Sequence, residues 1–416
     1  MASSLPLVST GYLTAIRMAA TAERITLPGS RASGVQASRG GRGVAIDYLR
    51  TFIIVLVLLH HSVLAYVNFG HFNPEQYLWS TAPIVDSRRW PGFDILVAFN
   101  DAFFMSLMFF VSGLFVWPSL ARKRPPQFLR DRMLRLGLPF AIAVTFLMPL
   151  AYYPSYLMTG AAPGYFRFWR DTILVGPWGS GPPWFVAVLL AYDCLAALLY
   201  WAMPGAADSI GPARARIFAQ PPIFFLVLVT VSATAFFPML IAFGSSYWFA
   251  FGPLAIQACR ALHYAVYFFA GVAVGAYGLE RSGFAPGGAL ARQSKLWVLL
   301  ALLSFFAFLV TIGKASPPVR SYGCWFVISC AAISFAMLAI FLRFSTRRYA
   351  IVESLNDNSY GIYLVHYLFV VWLQYALLNV DLPAIAKASL VFGAVFALSW
   401  ATVAALRHVP AIARII

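Results

Sequence analysis

The chain has 416 residues, 61% of them hydrophobic and only 11% charged, with a formal net charge of +16. A soluble protein carries about 25% charged residues, so this composition excludes a soluble globular fold and puts nearly all of the mass in a membrane. Basic loops on one side of a bilayer account for the positive charge, and no nucleic-acid partner is expected.

Residues 1–44 hold Ser, Gly, Ala and five arginines with one acid, Glu23. They read as a basic, disordered cytosolic tail. A transit segment or a wrongly chosen start codon would also produce this composition. From residue 45 to 416 a single transmembrane domain is expected. Ten apolar stretches approach the roughly 20 residues a span needs: 46–67, 93–117, 134–154, 184–203, 222–243, 262–280, 296–313, 323–342, 358–379 and 386–406. With the N-terminus in the cytosol, the inner segments carry 21 Lys and Arg and the outer segments 8. That bias predicts an all-α, polytopic protein with about ten spans and both termini cytosolic. Cys194, Cys259, Cys324 and Cys330 lie in or beside apolar runs without zinc-ligand spacing, so no metal is expected.

In the first stretch Arg50 and His61 are eleven residues apart. At about 100° per residue this puts them on one helix face, about 16 Å apart along the axis. Such residues are expensive in lipid and are functional candidates; snorkelling of Arg50 and backbone bonding of a histidine are the structural alternatives. Asp47 lies beside Arg50 near the cytosolic end, and His60 is one step off the stripe. In the second stretch Asp101 lies at a depth comparable to His61 and is expected to orient its imidazole, unless it forms a structural ion pair. Ser112-Gly113 and Gly271-x-x-x-Gly275 read as small-residue packing seams, with Ser112 also a possible site-lining residue. Arg132 and Arg135, at the start of the third stretch, fit positive-inside topology; with Arg50 they also form a plausible phosphate site. The loops 68–92 and 155–183 are rich in aromatics, which suit an interfacial belt or stacking on sugar rings. Near the end, Tyr360, Tyr363, His366 and Tyr367 share one helical face, as core packing or as site lining.

No Walker loop, strand-borne GxGxxG, HExxH or GxSxG occurs, which argues against an ATP-driven pump, a metalloprotease and an α/β-hydrolase.

The opening IDYLR with Arg50-x10-His61, FFMSLMFFVSGLF at 103–115, the run Arg132–Pro139, PPWFVAVLLAYD at 182–193 and SYGIYLVHY at 359–367 together resemble the membrane acyltransferase 3 family, in order along 45–375. The resemblance implies transfer of an acyl group from cytosolic acyl-CoA to an extracytoplasmic acceptor, usually a glycan, and is most similar to the glucan-modifying subgroup. His61 would be the base, and Arg50, Arg132 and Arg135 would hold the donor's phosphates. Acetyl-CoA and succinyl-CoA are both open as co-substrate, with no bound cofactor. The acceptor is expected to be a glycan or glycolipid, and the location a bacterial inner membrane. No hydrolase-like domain of the kind some members carry is seen, so loops or a partner should recognise the acceptor. A transporter or flippase, and a non-catalytic subunit of a glycan export system, are the competing readings.

Overall fold

The computed structural model describes residues 32–162, 164–203, 205, 212–314 and 318–416, with side chains from residue 43 apart from 212–214. Most of the basic segment 1–44 lies outside the described residues; from Ala32 the backbone is helical. Residues 41–416 form one compact unit, and every contact below belongs to it.

The expected all-α architecture is present. Among the described residues ten long helices follow in order: α1 (Ala32–Val63), α2 (Pro91–Gly113), α3 (Pro125–Leu157), α4 (Trp184–Ala202), α5 (Pro221–Phe243), α6 (Ala258–Tyr277), α7 (Ser294–Ile312), α8 (Val319–Phe344), α9 (Ala350–Ala376) and α10 (Ala384–Leu406). The ten expected stretches fall on them. Among the described residues nine helices are long and apolar enough to cross a membrane, and α9 is not among them. Its 27 residues include Glu353, Asp357, His366, Gln374 and four tyrosines, which lower its hydropathy; His366 and Gln374 are buried in the bundle.

Helix starts and stops follow local chemistry. Pro91 and Pro221 open α2 and α5, where a missing N–H costs nothing. Gly244 and Gly278 end α5 and α6 at φ of +72° and +102°, which a side chain would oppose.

Proline shapes α3. Pro139, Pro149 and Pro154 each lack the N–H that would bond the carbonyl four residues back, freeing the carbonyls of Arg135, Thr145 and Leu150. Each carbonyl is taken by an aromatic donor from elsewhere: Tyr360 Oη at 2.6 Å, Trp169 Nε1 at 2.8 Å and Trp372 Nε1 at 2.9 Å. A backbone acceptor left bare in hydrocarbon costs several kcal/mol by the order of magnitude for such groups, so these three bonds make the bent helix tolerable. Five-residue π turns at 133–137 and 143–147 precede two of the prolines, the usual local adjustment.

Two pairings position the site. α2 and α6 run in the same direction and meet at their backbones. A Cβ on Gly271 would lie 2.0 Å from the Phe110 carbonyl oxygen, one on Gly275 2.1 Å from that of Leu114, and one on Gly113 2.2 Å from that of Phe268. The expected small-residue seam is therefore this close approach. α1 and α9 are also parallel. Tyr349 N donates to Tyr48 Oη at 2.7 Å and Thr51 Oγ1 to Asn356 Oδ1 at 3.2 Å, while Gln374 Nε2 donates to the carbonyls of His61 and Ser62 at 2.9 and 3.2 Å. Among the described residues one hairpin, β1 (Trp248–Phe251) with β2 (Leu254–Gln257), departs from helix; it joins α5 to α6.

Candidate active site

The last turns of α1 carry His60 and His61, and both line a cavity of about 470 Å³. His60 also faces Phe104, with ring centroids 5.2 Å apart, so the residue read as off the stripe reaches the same space. His61 packs between the rings of Tyr367, at 5.0 Å, and His366, at 5.4 Å. The Nδ1 atoms of His60 and His61 are buried without a hydrogen-bond partner.

The opposite wall comes from the α2–α6 seam. Asp101 does not orient His61. Both of its carboxylate oxygens accept from Arg260, at 2.7 and 2.5 Å, and the nearer histidine is His60. The reason is azimuth: His61 turns toward α9, while Asp101 lies on the side of α2 that meets α6. The guanidinium of Arg260 is 5% exposed and stacks on Phe326 at 4.8 Å, so it is a buried, rigidly held cation. Sequence reasoning missed it as a site residue because it lies just before an apolar run and counts there as a loop charge.

Much of the remaining lining is aromatic. Tyr77 and Trp79 come from the loop before α2, Trp178 and residues 179–182 from the loop before α4, Trp184 from α4 and Trp248 from β1. Burial pushes the Tyr77 phenol above its ordinary range, with Tyr152 and Tyr156 adding to this, so it is a neutral hydroxyl. Tyr363 donates to the Pro182 carbonyl, which fixes the 178–182 loop to α9. Stretches far apart in sequence thus enclose a polar floor of two histidines and an ion pair beneath a wall rich in rings.

The basic residues sit at the other end of α1. Arg50 Nη1 is 3.9 Å from Asp47 Oδ1, with 42% of its side chain exposed, and it lies close enough to Arg132 to feel its charge. Arg132 Nε is 3.1 Å from the buried carboxylate of Asp193, a partner on α4 that the sequence did not single out. Arg135 is exposed. On α1 the cavity lining ends at Val57, about two turns short of Arg50. Ser112 is half-buried beside the Gly113 contact, and neither it, Tyr360 nor His366 lines the cavity. The hydroxyl of Tyr360 serves the Arg135 carbonyl. His366 lies directly behind His61 and is fully buried.

A family model described as an acyltransferase domain matches residues 44–404. The chain belongs to the membrane acyltransferase 3 family. The match takes in α1 to α10 and with them every site residue above, so the protein is a multi-pass membrane acyltransferase. No curated protein and no solved structure matches it.

Proposed function

We propose that this acyltransferase takes its acyl group from acyl-CoA, acetyl or succinyl, at the Arg50 end and delivers it to a hydroxyl of a glycan or glycolipid at the loop end, with His61 as the base. On this reading the Arg50 end faces the cytosol of a bacterial inner membrane and the loops face outward. The observation that carries it is the position of His61: an imidazole that lines a cavity walled by tyrosine and tryptophan, on the same helix as a half-exposed arginine that has a second arginine nearby. Aromatic faces suit the apolar faces of sugar rings, and the guanidinium fork suits phosphates. Arg132 exchanges its Asp193 partner for a phosphate when the donor docks.

The chemistry needs little more. The acceptor hydroxyl gives its proton to His61 as its oxygen attacks the thioester carbonyl, and the thiolate of CoA leaves and takes up a proton. The thioester supplies the driving force. Because the cavity stops two turns short of Arg50, the donor's narrow pantetheine arm enters by parting the side chains between them.

The test is free-CoA release by purified protein in liposomes with acetyl-CoA or succinyl-CoA and a glycan extract. His61→Ala lowers kcat by about 10²–10⁴-fold, the usual contribution of a positioned base, and Arg50→Ala raises the donor KM. A wild-type protein that leaves both donors intact with a good acceptor supply overturns the donor assignment.

A further inference from the structure

His366 is not part of the cavity, yet its ring packs against that of His61. It is 0% exposed and sits on α9 with its centroid 5.4 Å from that of His61. Its Nδ1 lies 2.7 Å from the Tyr363 carbonyl oxygen. A carbonyl only accepts, so that nitrogen carries the proton and donates. The tautomer then leaves Nε2 bare, an acceptor in the bundle interior, and this Nε2 has no partner. Nor has His61 Nδ1, which is equally buried. Two unpartnered nitrogens on adjacent rings, one of them an acceptor by tautomer, are an expensive arrangement unless something passes between them.

The backbone supports the pairing. Gln374, two turns beyond His366 on α9, donates to the carbonyls of His61 and Ser62, so the helix that presents His366 also fixes the peptide of His61. At rest neither nitrogen has a hydrogen-bond partner; the transfer proposed below requires the His61 ring to turn about χ2, a soft torsion for histidine, while His366 stays on Tyr363.

We propose that His366 is the positioning residue of His61 and the store for its second proton. This rests on His61 being the base. The acceptor hydroxyl gives its proton to His61 Nε2 as its oxygen bonds to the acyl carbon. His61 Nδ1–H then passes its proton to His366 Nε2, so that the positive charge rests on His366, whose Nδ1–H is still held by Tyr363. When the C–S bond breaks, the proton returns to His61 Nδ1, and His61 Nε2 protonates the departing thiolate. Both histidines end neutral, and one ester and one thiol have formed. The storage site is sealed behind His61, so the proton is not lost to the wet cavity.

His366→Asn tests this, because the asparagine amide N–H reproduces the bond to Tyr363 while the basic Nε2 is gone. The expected result is a kcat lower by roughly 10²-fold, the lower end for a positioned proton acceptor, with the donor KM unchanged and the limb of the pH–kcat profile that reports His61 displaced. The other titratable and charged groups around the cavity and the pair are His60 on α1, Tyr77 in the loop before α2, Asp101 on α2, Tyr152 on α3, Arg260 and Tyr264 on α6, and Tyr363 and Tyr367 on α9; Asp101→Asn and Tyr367→Phe serve as controls for that limb. Full turnover with an unchanged profile overturns the proposal. Nitrogen-15 spectra of histidine-labelled wild-type protein give an arm independent of turnover and of any folding defect in the variant. They should show His366 protonated at Nδ1 and bare at Nε2, and the opposite tautomer overturns the proposal. If the wild type turns over no acyl-CoA, the donor reading fails, while these spectra still judge the pair.

Discussion

The proline-bent α3 and the end of α1 handle buried polarity in opposite ways. In α3 each carbonyl freed by Pro139, Pro149 and Pro154 has found an aromatic donor from another element. At the end of α1, ring nitrogens of His60 and His61, and of His366 behind them, are buried and bare. The same low-dielectric interior surrounds both, and an unmade bond there costs about 1–3 kcal/mol. Along α3 the cost is removed by a donor; in the proposed mechanism the bare nitrogens beside the cavity are what the chemistry uses. On that reading the contrast separates the carbonyls that α3 must cap from the rings proposed to act.

The largest effect should come from breaking the seam that presents the Asp101–Arg260 wall. Gly271→Val puts carbon where the Phe110 carbonyl oxygen already sits 2.0 Å from an ideal Cβ. Neither backbone can yield without separating α2 from α6, so no monodisperse protein is expected on size exclusion in detergent. Gly393→Ala is the control, since nothing lies within 4 Å of its Cβ position. A well-folded Gly271→Val would show that the close approach is dispensable.

Next is an ion pair of the loop end that is buried on both sides. Lys387 Nζ, at the start of α10, is 2.6 Å from Asp86 Oδ2, with both side chains 1% exposed, and it also donates to the Leu378 carbonyl. Asp86→Ala leaves a buried ammonium uncompensated, which costs about 3–5 kcal/mol, read as a large drop in the detergent melting midpoint. Replacing both partners by Leu should recover much of this, because the penalty belongs to the unpaired charge. Equal losses in the single and double variants would mean that the pair is simply a packing spacer.

These cations mark where the sequence stopped being legible. Apolar runs about 20 residues long locate α1 to α10, because bilayer thickness sets their length. The α1 stripe is equally legible, since Arg50 and His61 share one helix whose periodicity is known. Arg260 and Lys387 border apolar runs and were counted as outer-loop charges. Their burial depends on Asp101 and Asp86, more than 150 residues away, and no local pattern encodes that. Depth along a helix was readable for Asp101, but the direction it faces was not, so its partner proved to be Arg260 rather than His61. Gln374, Trp372 and Trp169 look like ordinary members of aromatic or apolar stretches. Their role follows from prolines and helix ends on other elements. Tyr360 and His366 were read together as one face; the structure gives one to the Arg135 carbonyl and sets the other against the ring of His61.

The smallest effect gives the sharpest form of the opening contrast. Trp372→Phe keeps the ring packing and removes only the N–H that serves the Leu150 carbonyl. The expected cost is about 1–3 kcal/mol, a fall of a few degrees in the melting midpoint, with turnover unchanged because Trp372 does not line the cavity. His61→Ala should give the opposite pattern: turnover nearly lost, and a melting midpoint held or raised, because a buried nitrogen without a partner has been removed. If polar groups divide into those with donors for structure and those left bare for chemistry, the two variants must move the two readouts separately. A Trp372→Phe protein that melts like wild type would mean that the Leu150 carbonyl finds another donor, and that the capping of α3 by aromatic side chains is geometry without energetic consequence.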